Sequence, residues 1–199
     1  SLFSHHEFIL NHLKKENKMK KVALFLANGF EEIEALATVD ILRRAQITVH
    51  TVSITDDKNV TGAHGMIVVA DKIYKELDFS TVDVLVLPGG MPGAKNLNEH
   101  EDLKKQVKAF ADKGNNVAAI CAAPMVLGSL RLLDGKKATC YPGFEPELIG
   151  AETTGESVVV ADNIITGKGP AFVFDFALQI VESIAGIGAR KEVEEGLLL

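Results

Sequence analysis

Residues 117–128 read VAAICAAPMVLG, and their reading decides the fold. Val117 to Ile120 is a short apolar run of buried-strand type, and the residues from Pro124 onward have the composition of a helix. The proline falls in the first helical turn, where a missing N–H leaves no partner unsatisfied. Cys121 stands at the junction, with Ala122 and Ala123 keeping the turn tight. A cysteine that only packs fits anywhere along an apolar element, and free cysteine is among the most buried residue types. At a strand-to-helix elbow it faces the first free N–H groups of the helix. That placement favours the thiolate and predicts a pKa below the usual value of about 8.5.

Outward from this stretch the same alternation recurs. Val22 to Leu26 is a fully apolar run broken by Asn28-Gly29, and Glu31 to Arg44 carries Ile33, Leu36, Ala37, Val39, Ile41 and Leu42 at helical spacing. Strand character returns over 47–52, 82–87, 158–160 and 164–166, with a hairpin or irregular strand pair over 61–73. Helices are predicted over 103–111, 124–133, 171–184 and 191–197. Apolar strands alternating with helices argue for an α/β fold, a mostly parallel sheet covered on both faces.

The chain has 199 residues, 47% of them hydrophobic, with a formal charge of −6, which suits one α/β domain with a real core. The acidic balance gives nucleic acid or an anionic membrane no electrostatic footing. No apolar run reaches the roughly 18–20 residues of a membrane-spanning helix. Two cysteines make no disulfide framework and lie in no metal-ligand spacing, so a reducing, cytoplasmic setting without metal or cofactor is expected. Residues 1–18 differ in character and read as an extension ahead of a domain spanning 19–199, of cloning or upstream-start origin. His5, His6 and His12 lie there with no Cys or Asp partner, which gives a metal little to bind.

In open parallel sheets, sites form beyond the carboxyl ends of the strands, which selects the turns after Leu26, Leu87 and Ile120. The last carries Cys121. The second, PGGMPG, offers the N–H groups of Gly89 and Gly90, unobstructed by side chains, as an oxyanion hole. The first, NGFEEIEA, opens a helix with Glu31, Glu32 and Glu34. Acids in a first turn offset the helix dipole, which accounts for Glu31 and Glu32. Glu34 lies close to the buried face, where desolvation favours the protonated carboxyl.

The stretches AICAAP, VLPGGMPGAKNL, NGFEEIEA with VDILRRA, and GKGPAFVFDFAL stand in an order and spacing that resemble the ThiJ/PfpI superfamily, in the branch of the parkinsonism-associated deglycase and its bacterial relatives. The resemblance runs from about Lys20 to the C-terminus. It implies a flavodoxin-like three-layer sandwich with a nucleophile elbow, and a homodimer. It also implies Cys121 as the reactive cysteine, Glu34 as its partner carboxyl, and Gly89, Gly90 and Ala122 around an anion pocket.

Two positions depart from the pattern. His64 stands where close relatives carry an arginine that reaches across the dimer, so a plain turn histidine is expected. Tyr141 stands where some members carry a histidine near the cysteine, and a phenol with a pKa near 10 is a poor base at neutral pH. Neither His50 nor His100 is placed to replace it, and Cys140, next to Tyr141, is expected to pack rather than to resolve an oxidised thiol.

The function implied is a cofactor-independent glyoxalase III or deglycase acting on α-oxoaldehydes or glycated adducts. The alternatives are an oxidation-sensing thiol protein or chaperone without turnover, and a cysteine hydrolase or thiamine-biosynthesis-associated protein.

Overall fold

The computed structural model describes residues 19–199; the extension and its three histidines lie outside the described residues. In chain order the strands are β1 (Lys21–Leu26), β2 (Thr48–Ser53), β3 (Asn59–Thr61), β4 (Ile67–Val69), β5 (Lys72–Ile73) and β6 (Val84–Leu87). They continue as β7 (Val117–Ile120), β8 (Lys137–Ala138), β9 (Glu152–Thr153), β10 (Val158–Ala161) and β11 (Ile164–Gly167). The α-helices are α1 (Glu32–Arg44), α2 (Gly93–Asn98), α3 (Glu101–Asp112), α4 (Pro124–Ser129), α5 (Val173–Ala185) and α6 (Ile187–Gly196).

Seven strands form the main sheet in the order β10-β11-β7-β6-β1-β2-β5. All neighbours are parallel except β10, which pairs antiparallel with β11. The order β2-β1-β6-β7-β11 at its centre is the flavodoxin-like one, and the direction of winding reverses between β1 and β6. Ligands bind at such a reversal because the loops leaving the two strands diverge and open a crevice.

Strand alternation divides the core in two. Val22, Leu24 and Leu26 of β1 face one side with Val86 and Ile120, and there they meet Ala35, Val39, Ile41 and Leu42 of α1 and Phe176, Ile180 and Val181 of α5. Ala23 and Phe25 face the other with Leu85, Leu87 and Ala119, against Leu103, Val107 and Phe110 of α3 and Val126 and Leu127 of α4. Phe25 and Phe176 are fully enclosed, and burying such a side chain stabilises by about 1.5–3 kcal/mol. No helix among the described residues is long and apolar enough to cross a membrane.

Several boundaries differ from those predicted. The 61–73 segment divides: β3 and β4 form a separate antiparallel hairpin, while β5 joins the main sheet beside β2. The helix from Pro124 stops at Ser129, where the Arg131 N–H donates to the Gly128 carbonyl and Arg131 takes a φ of 61°. PGGMPGAKNL contains a helix, α2, whose Gly93 and Ala94 are buried. The last helix starts at Ile187, directly after Gly186 (φ 94°) ends α5.

Helix α1 holds the most consequential difference. Its buried residues are Glu32, Glu34, Ala35, Thr38, Val39, Ile41 and Leu42, while Ile33 and Leu36 point outward, 56% and 41% exposed. The helix therefore turns two acids inward and two aliphatic residues outward, against the ordinary sense of amphipathicity.

Candidate functional site

The loops leaving β1 and β6 and the hairpin are stitched together by backbone bonds. Gly29 N–H donates to Thr61 O at 2.8 Å, Glu31 N–H to Gly89 O at 2.8 Å, and Gly93 N–H to Gly29 O at 3.2 Å. Gly90 adopts a φ of 93°, in the region that favours glycine, and a Cβ there would run into the backbone of Gly29, Phe30 and Glu31. The segment is thereby fixed against the start of α1. Glu31 caps that helix, its Oε2 accepting the Glu34 N–H at 2.8 Å, which satisfies one of the orphan donors of the first turn.

Cap and stripe together drive Glu34 into the interior, where it is 0% exposed. Its Oε1 accepts the N–H of Gly89 at 3.0 Å. Its Oε2 is buried with no nitrogen or oxygen partner among the described residues, and the neighbouring proton donor is the thiol of Cys121. Burial raises the Glu34 carboxyl to about 7; the thiol opposes the rise, the charge of Glu31 adds to it, and the Gly89 N–H opposes it. Gly89 is the hinge of this contact. A Cβ at that position would lie 2.5 Å from Cys121 Cβ and 2.6 Å from Glu34 Oε1, so only glycine lets the three loops converge.

Cys121 occupies the elbow with a φ of 66°, a conformation that costs a non-glycine residue roughly 1–2 kcal/mol and marks a position held by its surroundings. The holding bonds are its N–H to Gly167 O and its carbonyl from Tyr141 N–H, both 2.9 Å. The side chain is nearly enclosed. Burial first, then the charge and hydrogen bond of Glu34, push the thiol well above its ordinary value, and the N–H groups of Ala122 and Gly90 pull it only part of the way back. The expectation of a lowered pKa is therefore reversed. Helix α4 has six residues and starts three positions beyond Cys121, so its dipole acts weakly there, whereas the buried carboxyl acts at contact.

The other predicted residues divide. Gly90 and Ala122 N–H groups face the thiol, while the N–H of Gly89, expected beside Gly90 in an oxyanion hole, is committed to Glu34. Tyr141 is half exposed; its backbone braces the elbow and its ring lines a neighbouring cavity. Cys140 packs in the opposite core from Cys121, with its thiol pushed up to about 11 by burial and then by the charge of Glu145. It lies on the wrong side of the sheet to resolve an oxidised Cys121.

His64 has a role beyond that of a turn residue. Its N–H donates to Glu32 Oε2 at 2.8 Å, and its ring Nδ1 lies 3.0 Å from Glu32 Oε1. Burial opposes the ionisation of Glu32, but the ring and N–H of His64 and the N–H of Met66 outweigh it and hold that carboxyl below the usual range. Glu32 thus ties the hairpin to α1. Glu31, Glu32 and His64 each bring one ligand atom within 4.8 Å of the others, although Glu32 already accepts three N–H groups. His100 caps α3 by accepting the Leu103 N–H at 3.0 Å, a role its position just ahead of Glu101-Asp102 could have signalled.

Comparison with known proteins bears on the family of the chain. A profile of the DJ-1/PfpI family matches residues 20–183. Protein dj-1beta of Drosophila melanogaster is 34% identical over 182 residues, covering 90% of this chain and 97% of that protein. Protein DJ-1 homolog B of Arabidopsis thaliana is 38% identical over 90% of this chain, which spans only 42% of that longer protein. Among solved structures, Toxoplasma gondii DJ-1 in an oxidised form superposes with a TM-score of 0.86 at 35% identity, covering 90% of this chain and 98% of that one. The crystal structure of Drosophila melanogaster DJ-1beta gives 0.85 at 33% identity, with coverages of 90% and 98%. With a family profile matched over most of the chain, relatives at 34–38% identity and solved structures that share its sheet, the chain belongs to the DJ-1/PfpI family.

Proposed function

We propose that the protein converts α-oxoaldehydes to hydroxy acids without a cofactor, with Cys121 as nucleophile and Glu34 as its proton carrier. The observation that carries this reading is a carboxyl that titrates at about 7, sealed beside a thiol on an elbow. Both forms of Glu34 are populated at neutral pH, which is what a group needs to take and return a proton in one cycle. The raised thiol pKa assigns Glu34 the role of general base, because the thiolate is not preformed.

Ionised Glu34 takes the thiol proton as sulfur bonds to the aldehyde carbon, and the carbonyl pair moves onto oxygen. The N–H groups of Gly90 and Ala122 receive that oxygen, and Glu34 returns the proton to give a hemithioacetal. Glu34 then carries a proton from the first carbon to the second while the hydroxyl proton on the first oxygen passes to the second, leaving a thioester of the hydroxy acid. Water releases the acid and restores the thiol, so methylglyoxal plus water balances to lactate with no external oxidant.

The alternatives have less support. Oxidation sensing draws on a low-pKa thiolate, and burial acts in the other direction here. A Cys-His hydrolase needs a base, and the three histidines among the described residues are placed elsewhere: His64 on Glu32, His100 capping α3, and His50 within β2. Lactate should accumulate when the protein is incubated with methylglyoxal alone, and should stop once Cys121 is alkylated. If no lactate forms, the reading fails.

A second copy of this chain is the partner we infer. Ile33 and Leu36 on α1 and Met66, Ile67 and Val69 on the hairpin are exposed, and Glu32 joins the two elements into one apolar face. Sedimentation velocity should give the mass of two chains, and a single-chain mass at micromolar concentration would remove the inference.

A further inference from the structure

The loop after β6 and the start of α1 are joined by a closed ring of three hydrogen bonds. Glu31 N–H donates to Gly89 O at 2.8 Å, Gly89 N–H to Glu34 Oε1 at 3.0 Å, and Glu34 N–H to Glu31 Oε2 at 2.8 Å. Each residue gives one N–H and receives one bond, so displacing any of them disturbs the other two. Glu34 is the proton carrier and Gly89 its donor. Glu31 has no part in the chemistry above.

A structural cap would need less than Glu31 supplies. Helix N-caps are served best by Asn, Asp, Ser and Thr, whose short side chains reach the first-turn N–H groups directly. Here a longer carboxylate folds back over the turn and is only 8% exposed. Burying it costs more than burying a hydroxyl that could make the same bond. What the carboxylate adds is a negative charge beside Glu34.

The surroundings make that charge count. The elbow presents the Cys121 thiol to Glu34, the loop after β6 presents the uncharged Gly89 N–H, and α5 packs against α1 with the apolar Phe176, Ile180 and Val181. Burial lifts the Glu34 carboxyl to about 7; the thiol pulls it down, the charge of Glu31 pushes it up, and the Gly89 N–H pulls it down. On the hairpin side His64 Nδ1 lies 3.8 Å from Glu31 Oε1 but 3.0 Å from Glu32 Oε1, and its side chain is 68% exposed. Water screens that contact, whereas Glu31 and Glu34 interact through the protein interior.

We propose that Glu31 is a positioning residue for the reaction, holding Glu34 against Cys121 through the ring and opposing the ionisation of Glu34 through its own charge. The proposal rests on Glu34 being the proton carrier, as inferred above. Without that charge Glu34 is ionised over more of the neutral range and returns its proton less readily.

The test follows the rate of Cys121 alkylation by iodoacetamide from pH 5 to 9, read by peptide mass, with a thermal melt on each sample. A sulfur–carbon bond forms, iodide leaves and the thiol proton passes through Glu34 to buffer. The wild-type rate should rise through an inflection near pH 7. Glu31→Gln keeps an oxygen for the Glu34 N–H but removes the charge, and should move the inflection to about pH 6. Glu31→Asp keeps both the charge and a good cap, and should leave it near pH 7. In a Glu34→Gln background, Glu31→Gln should leave the profile unmoved, because the charge acts through the carboxyl.

An inflection that is present in the wild type and unmoved by Glu31→Gln overturns the proposal, while the pairing of Glu34 with Cys121 stands. Equal shifts in Glu31→Gln and Glu31→Asp overturn it too, since a lost cap geometry and not a lost charge would then be responsible. A profile without any inflection in the wild type removes the pairing itself, and this proposal with it. The readout needs no turnover, so the outcome is independent of whether lactate is formed.

Discussion

Cys121→Ser should lower the kcat/KM for methylglyoxal by a factor on the order of 10³ or more, with the fold intact. Serine reproduces the volume and the elbow geometry, and it keeps the same backbone bonds, its N–H donating to Gly167 O and its carbonyl accepting from Tyr141 N–H. It does not reproduce the acidity. A carboxyl titrating at about 7 can share a proton with a thiol, but it is far too weak a base for an alcohol with no imidazole beside it. Lactate production and a thermal melt on the same sample check both halves. Retention of activity within tenfold of wild type would show that sulfur is not the attacking atom.

Glu34→Gln should separate activity from pH-dependent stability. Loss of the proton carrier should reduce turnover by about 10²–10⁴, and the inflection near pH 7 in the wild-type rate of Cys121 alkylation should vanish. The stability effect has a definite sign. The folded pKa is raised from 4.5 to about 7, so between these values the folded protein binds more protons than the unfolded chain. The advantage is complete below pH 4.5, declines as pH rises and is gone above 7. The shift corresponds to about 3 kcal/mol. Between pH 4.5 and 8, the wild type should therefore lose about that much stability relative to Glu34→Gln, whatever the fixed cost of burying the amide. Urea denaturation at the two pH values measures it, and parallel pH profiles for the two proteins would contradict the buried, proton-sharing carboxyl.

Much of this was legible in the chain. The apolar runs at Val22–Leu26 and Val117–Ile120 are too short and too uniformly apolar for surface elements, and each ends in small or turn-forming residues, so a parallel sheet with sites at its carboxyl edge followed from pattern alone. Cys121 stood out by its place at the junction, but the pattern alone left a packed cysteine equally open, and the resemblance to the ThiJ/PfpI superfamily was what pointed to the reactive one. Glu34 was suspected from its place next to the apolar stripe. What stayed hidden depends on distances between segments far apart in sequence. The Gly89 N–H could serve an oxyanion or a carboxylate, and only the meeting of β6 with α1 decides for Glu34. The direction of the Cys121 pKa turned on whether a short helix dipole or a buried carboxyl dominates, a contest of proximity that spacing does not encode. Ile33 and Leu36 fit a helical period equally well facing in or out.

The two rims of the main sheet have a consequence for how the protein resists aggregation. An open rim of a sheet is a row of unpaired backbone groups on which another chain can add a strand. One rim here, β5, is two residues long and offers almost no template. At the other, β10 runs against the direction of its neighbours. Next to it the segment after β8 is pinned by Thr139, whose N–H donates to Thr166 Oγ1 at 3.0 Å and whose hydroxyl donates to Glu156 O at 2.6 Å. Fibril-like growth by strand addition is blunted at both rims.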